Sequence, residues 1–352
     1  MEIGCRSYAS ATSTISVTTR SVAVSATPSQ SPQPTPAVTP LFHVLPDGRW
    51  SFMYDSSTIK PFSLCERQFH YQVLRNLRRK GRRASMDIGS WWSAVMSDFY
   101  EGMLAGTLTQ QSALLSAARN WAALDMDALE EHDPRGFKSF GGRDGAITMI
   151  GRYHNRQADI DSKMWKIVST EAGAGRRHEI LVGENNKVVV YYVIKPDMLV
   201  VDQNRLCPVD HKTVDRISAD LIKKYKPHDQ IQGYIFGVGA IAKSIGWDLP
   251  VDRCIVNVCA RTEPKDDAVR FTRVYPSYSL PEMQEWQARK VEQATRLRYC
   301  FENDVWLADD QACHIYSGCS YRLICAVPPG SRELVINADY VQVEPWVPYE
   351  IE

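Results

Sequence analysis

Residues 195–212 read Lys-Pro-Asp-Met-Leu-Val-Val-Asp-Gln-Asn-Arg-Leu-Cys-Pro-Val-Asp-His-Lys, and no other stretch limits the fold as tightly. Two apolar runs, Met198–Val201 and Leu206–Val209, flank the polar tetrapeptide Asp202–Arg205, which is the pattern of a β-hairpin with a four-residue loop. A symmetric loop sets Val201 opposite Leu206, and counting outward sets Asp197 opposite Asp210. Directly opposed side chains lie roughly 5 Å apart at Cβ. Because strand side chains alternate, Asp210 and Lys212 share one face and His211 takes the other. Two facing carboxylates repel unless positive charge lies between them. Lys212 supplies part of it, and a divalent cation suits the place, since Mg²⁺ takes oxygen ligands and commonly uses one or two carboxylates. The same residues also fit a solvated hairpin with scattered charges. Pro208 sits awkwardly in any central strand, where its missing N–H is felt.

The chain of 352 residues suffices for one large or two medium domains. Basic and acidic residues balance at 41 each, so any basic footprint is local. The densest is Arg75, Arg78, Arg79, Lys80, Arg82 and Arg83, six charges in nine residues, which reads either as a phosphate-contacting patch or as a solvated face. No run is long and apolar enough to span a bilayer, so no membrane partner is expected. Residues 1–45 are rich in Ser, Thr, Pro and Val with one acid, Glu2, and read as a disordered tail. An acid-poor, Ser-rich start with a few arginines also has the character of an organellar transit peptide. Residues 331–352 read as a C-terminal tail. The nine cysteines do not form a secreted disulfide pattern. Cys254 and Cys259 lie in an apolar run and read as buried, inert thiols.

Helical spacing runs through Met86–Leu104, Ser112–Leu129 and Ala146–Val168, giving a helical part over 86–168. The period shortens to two in a core over 176–275. There Glu179–Val182 and Lys187–Ile194 form a hairpin, and Arg253–Ala260 and Ala268–Tyr275 are strands. Ser218–Ser244 reads as one long helix, and Pro281–Phe301 as another within a C-terminal part over 279–330. Helices, strands, a helix, strands and a helix in that order describe an α/β core with a helical insertion.

In the helix after the hairpin, Gln230 and Tyr234 stand four apart on one face. Asp197, Asp210-His211-Lys212 and Gln230-x-x-x-Tyr234 in this order resemble the PD-(D/E)XK nuclease superfamily, in its RecB-like branch. Cys65, Cys313, Cys319 and Cys325 resemble the branch's iron–sulfur subgroup of AddB-type, CRISPR-adaptation and phage exonucleases. The resemblance covers residues 50–330. It implies a restriction-endonuclease-like fold, a central mixed β-sheet flanked by helices, with a Cys-bound metal staple joining the N- and C-terminal parts. It further implies a Mg²⁺- or Mn²⁺-dependent exonuclease acting on single-stranded DNA ends in recombination, repair or phage DNA processing, in a bacterial or phage-infected cytoplasm. Asp197, Asp210 and the His211 backbone carbonyl would be metal ligands, Lys212 would activate water, Gln230 and Tyr234 would hold DNA, and Glu171 would be an accessory acid.

The chain departs from the family pattern at three points. The segment Gly89-Ser-Trp-Trp-Ser93 lacks the usual motif histidine, Pro196 replaces a glycine before Asp197, and both gaps between the C-terminal cysteines are five residues. Taken alone, the cysteine set suits a [4Fe–4S] cluster, with zinc or inert thiols as alternatives; the short Cys-x-x-Cys knuckles of zinc sites are absent. Two further functions fit the same residues: a catalytically weakened nuclease fold that binds DNA ends in a recombination or CRISPR-adaptation complex, and a zinc-stapled α/β protein without nuclease activity. Gly-x-x-x-x-Gly-Lys-Ser/Thr does not occur, so a helicase partner would be a separate protein.

Overall fold

The computed structural model describes residues 41–81, 84–170, 178–261, 270–314, 318–345 and 347. In chain order the first elements are β1 (Phe42–Val44), β2 (Trp50–Tyr54), α1 (Ser56–Leu64), β3 (Leu77–Arg79), α2 (Ala84–Leu104), α3 (Gln110–Ala123) and α4 (Gly142–Met164). Then follow β4 (Lys166–Thr170), β5 (His178–Glu184), β6 (Val188–Ile194), β7 (Met198–Asp202), β8 (Arg205–Val214), α5 (Asp229–Ser244), β9 (Ile255–Ala260) and β10 (Phe271–Val274). The chain closes with α6 (Leu280–Asn303), α7 (Arg332–Asp339) and β11 (Tyr340–Gln342).

The strands build two main sheets instead of one. The order β1-β2-β6-β5 forms the first, β10-β9-β8-β7-β4 the second, and a small ribbon pairs β11 with β3. The second sheet is mixed, with β8 and β9 parallel and its other neighbours antiparallel. Every residue of β9 is buried, as expected of a strand covered on both faces. Its alternation sends Val256 and Val258 into a core shared with α5 and the first sheet, and Ile255 and Cys259 into a second core with α2 and α4. The sheet is thus flanked by helices on both faces, the α/β core that the element order implied and consistent with the restriction-endonuclease-like fold that the resemblance implied. A third, smaller core joins Tyr71, Leu77, Tyr321, Ile324, Ile336 and Tyr340.

Several boundaries differ from the sequence reading, each for a local reason. Pro227 splits the expected helix 218–244 into Ala219–Lys223 and α5, because proline has no N–H and its ring clashes with the preceding turn. Asp125, at φ +48°, ends the second helical segment early. Val168 leaves the third helix for β4, whose Ile, Val and Thr suit a pleated surface. Pro208 is tolerated inside β8 because pairing with β9 begins only at Val209, one residue later. Leu41 is buried and Phe42 stacks on Trp50 at 4.6 Å, so the segment read as an N-terminal tail is structured from residue 41. Likewise α7 and β11 occupy the segment read as a C-terminal tail, and Tyr340 packs in the third core. Among the described residues no helix is long and apolar enough to cross a membrane.

Candidate active site

The hairpin β7–β8 has the expected symmetric register, Val201 with Leu206 and Met198 with Val209, but Asp202 also pairs with Arg205, so the loop is the two residues Gln203-Asn204, both at positive φ, instead of four. Asp197 stands one residue before β7, at the open end where Asp210 lies on β8. Its Oδ2 accepts a hydrogen bond from the His211 backbone N–H at 2.6 Å. Asp210 is 1 % exposed. Its Oδ1 accepts from Lys212 Nζ at 2.9 Å and from Gln230 Nε2 at 3.4 Å. Its Oδ2 is buried and has no hydrogen-bond partner among the described residues. A buried, unsatisfied carboxylate oxygen is costly, roughly 1–3 kcal/mol or more, and is commonly explained by a bound ion or water. Burial works against the Lys212 charge, yet the neighbouring Asp210, with Asp197 behind it, holds the ammonium above its ordinary range.

Gln230 and Tyr234 reach this site because α5 lies very close to the first sheet. Gly233 and Gly237 make that approach possible: a Cβ on either would collide with Tyr192 or Ile194 of β6. Tyr234 OH accepts from Gln230 Nε2 at 2.8 Å and donates to the Lys195 carbonyl at 2.9 Å. In this state the two side chains brace the hairpin against α5.

Two neighbours escaped the sequence reading. Tyr225 is buried beside Asp210, and burial, then the Asp210 charge, push its hydroxyl up to about 12. His228 is half-buried at the start of α5, with Asp210, Lys212 and Lys60 in its surroundings, and burial lowers its pKa. The only sequence signal for either was an aromatic and an imidazole just upstream of the Gln-x-x-x-Tyr pattern. From the other face, α2 meets β8 at Gly89, whose Cβ would stand 3.7 Å from Thr213 Oγ1. Ser93, at the place of the motif histidine, is half-buried. Glu171 lies outside the described residues, as do Arg82 and Arg83.

Much of the described basic run serves the C-terminal segment. Arg75 forms a two-pronged pair with Glu333 at 2.6 and 3.0 Å. Lys80 donates to the Asn337 and Ala338 carbonyls at 3.2 and 2.6 Å, satisfying the end of α7. Arg78 donates to the Gln72 carbonyl at 3.0 Å, and Arg79 is exposed.

Cys65, at the end of α1, comes to the segment 309–325. Its sulfur accepts from the Asp309 N–H at 3.4 Å, the Cys313 thiol donates to the Asp309 carbonyl at 3.6 Å, and the Cys319 N–H donates to the Cys313 carbonyl at 3.4 Å. Burial raises the Cys319 and Cys325 thiols; Cys313, Cys65 and Cys325 raise Cys319 further, and Cys313 and Cys65 raise Cys325. Among the described residues no cysteine, Cys254 and Cys259 included, is in a disulfide. Among the described residues no group of three or more His, Cys, Asp and Glu side chains is arranged to hold a metal ion.

The sequence profile of the PD-(D/E)XK nuclease superfamily matches residues 56–326, from the start of α1 to just past Cys325. No curated protein matches the chain.

Proposed function

Since the chain belongs to the PD-(D/E)XK nuclease superfamily, we propose that it is a metal-dependent DNA exonuclease acting on single-stranded ends, with the β7–β8 hairpin as its active site. One observation carries the reading: the partnerless Oδ2 of buried Asp210 beside Asp197 at the hairpin's open end. Asp197, Asp210 and the His211 carbonyl would hold Mg²⁺ or Mn²⁺, whose oxygen preference they match. When bound, the cation supplies a nucleophile near neutral pH and offsets charge on the phosphoryl oxygens.

The remaining work falls to the chain's own groups. Lys212 keeps its proton on Nζ through the neutral range and has an Nζ–H to turn from Asp210 toward a phosphate oxygen. The Asp197 carboxylate is held by the His211 N–H. Gln230 and Tyr234 fix the hairpin, and their amide and hydroxyl would serve a strand laid across it. Glu171 is proposed as an accessory acid, and exposed Arg79 as a phosphate contact.

Cys65, Cys313, Cys319 and Cys325 are proposed as the ligands of a [4Fe–4S] cluster, supported by the four soft donors and by Cys65 lying against the segment that carries the other three. Loading would draw the sulfurs into one sphere, coupling metal uptake to the docking of the C-terminal segment.

The test is digestion of end-labelled single- and double-stranded DNA with and without Mg²⁺ or Mn²⁺. Cleavage of single strands from their ends, dependent on metal and lost in Asp210→Ala, is expected. Ser93 in place of a histidine favours the second reading, a nuclease fold that binds DNA ends without cutting. Metal-independent end binding with no cleavage by the unmodified protein would establish it.

A further inference from the structure

The helical part over 84–164 has no chemistry legible in its sequence, yet it sends a line of buried polar groups to the back of β8. Asn257 on β9 donates from Nδ2 to Tyr153 OH at 2.7 Å and contacts His211 Nδ1 at 3.0 Å. Tyr153 and Tyr100 share a hydrogen bond of 2.6 Å, and Tyr100 OH donates to Asp161 Oδ2 at 2.8 Å. The opposite oxygen of Asp161 accepts from Arg273 at 2.5 Å, and Arg273 lies 4.0 Å over the Trp165 ring.

Donor counting gives the chain one direction. Tyr100 spends its proton on Asp161, so Tyr153 donates to Tyr100. Tyr153 therefore accepts from Asn257, whose second amide proton is left for His211. Nδ1 of His211 is then an acceptor and the ring proton sits on Nε2. Tyr100 also stacks on the His211 ring, with centroids 5.4 Å apart and planes 10° off parallel. Asp161, Tyr100, Tyr153 and Asn257 are all at most 2 % exposed.

Stability alone does not account for this line. Apolar residues of similar volume are often as stable as a buried charge network, or more so. What the polar line does, and an apolar one would not, is fix the plane of the His211 ring. The His211 backbone serves the site on both sides: its N–H holds Asp197, and its carbonyl is the proposed third ligand.

We propose that Asn257, Tyr153 and Tyr100 are positioning residues of the metal site, acting through the side chain of His211 to set the peptide groups on either side of it. The inference rests on the active-site reading above. Partners one shell behind a metal ligand typically change metal affinity by 10–100-fold when removed.

The test is Mn²⁺ titration of the full chain, followed by electron paramagnetic resonance of the free ion, with no DNA present. Asn257→Leu and Tyr153→Phe should each weaken Mn²⁺ binding about 10-fold, whereas Phe301→Leu, a destabilising change in the other core, should leave it unchanged. Tyr153→Phe keeps the ring and removes one hydroxyl, so it decides the matter if Asn257→Leu fails to fold. Loss of binding in Asp210→Ala, with wild-type affinity in both polar variants, would overturn the positioning role and leave the active site standing. A wild-type chain that binds no Mn²⁺ would overturn both.

Discussion

The β7–β8 hairpin and the cysteine junction are both proposed to hold metal, and their donors are held differently. In the hairpin, Asp197 is held by a backbone N–H, Asp210 by Lys212 and Gln230, and one buried oxygen is left over. In the junction the donors come from elements far apart in sequence, and burial keeps the Cys319 and Cys325 thiols protonated. A preformed site loses its chemistry when a ligand is removed and keeps its fold. A site assembled by its metal loses its fold first, since metal binding and folding are one equilibrium there.

The sharpest break in the comparison is Asp210→Ala. Cleavage should fall on the order of 10³-fold, while the melting temperature changes little and iron content stays the same. Cys65→Ala should do the opposite. It should lose bound iron and brown colour after anaerobic purification, and melt ~5 °C lower or more, with activity lost only as stability is lost. Cys65 and Cys313 close a very long loop, and closure entropy grows only logarithmically, so the stabilisation is modest for its span. Purified protein carrying zinc, or a Cys65→Ala variant with full iron content, would remove the contrast.

Next in size is Gly233→Ala. The added methyl has no room against Tyr192, and overpacking of this kind costs roughly 1–3 kcal/mol. Because α5 carries Gln230 and Tyr234, cleavage should drop more than the unfolding midpoint in denaturant would suggest. An equal change in both would make α5 a plain structural support.

The back of the hairpin has a pH signature. Burial pushes His211 down to about 3, from an ordinary value of 6.5. Below pH 6.5 the unfolded chain takes up a proton at this residue that the folded chain refuses, so stability falls as pH drops, by up to ~1.4 kcal/mol per unit from this one group. His70 and His228, also lowered by burial, act in the same direction. In His211→Asn, whose amide oxygen stands near the place of Nδ1, denaturant midpoints between pH 4 and 6.5 should fall less steeply. An unchanged slope would mean that other groups carry the acid loss.

The smallest effects belong to the basic run. Arg79→Gln should flatten the salt dependence of single-strand binding by about 0.7 in logarithmic slope, the value of one lost phosphate contact. Arg75→Gln, which breaks the pair with Glu333, should instead loosen the C-terminal segment to proteolysis and leave that slope alone. Reversed outcomes would mean that the Arg75–Glu333 pair gives way to DNA.

The sequence by itself determined the hairpin, its register and the sharing of one face by Asp210 and Lys212. Those follow from a short loop and a period of two, which are local properties of contiguous residues. It also determined the helix face that carries Gln230 and Tyr234, and the convergence of chemistry on a family pattern. Only the tertiary structure decided that β5 and β6 belong to a separate sheet, since pairing partners distant in sequence carry no local signal. The same holds for the basic run, which is partly occupied by α7, and for β1 and β11, which pack against Trp50 and into the third core. The line from Asp161 to His211 was the least legible of all. Its members come from α2, α4, β8, β9 and β10, and a buried tyrosine or asparagine shows its partner only when the chain has brought that partner within 3 Å.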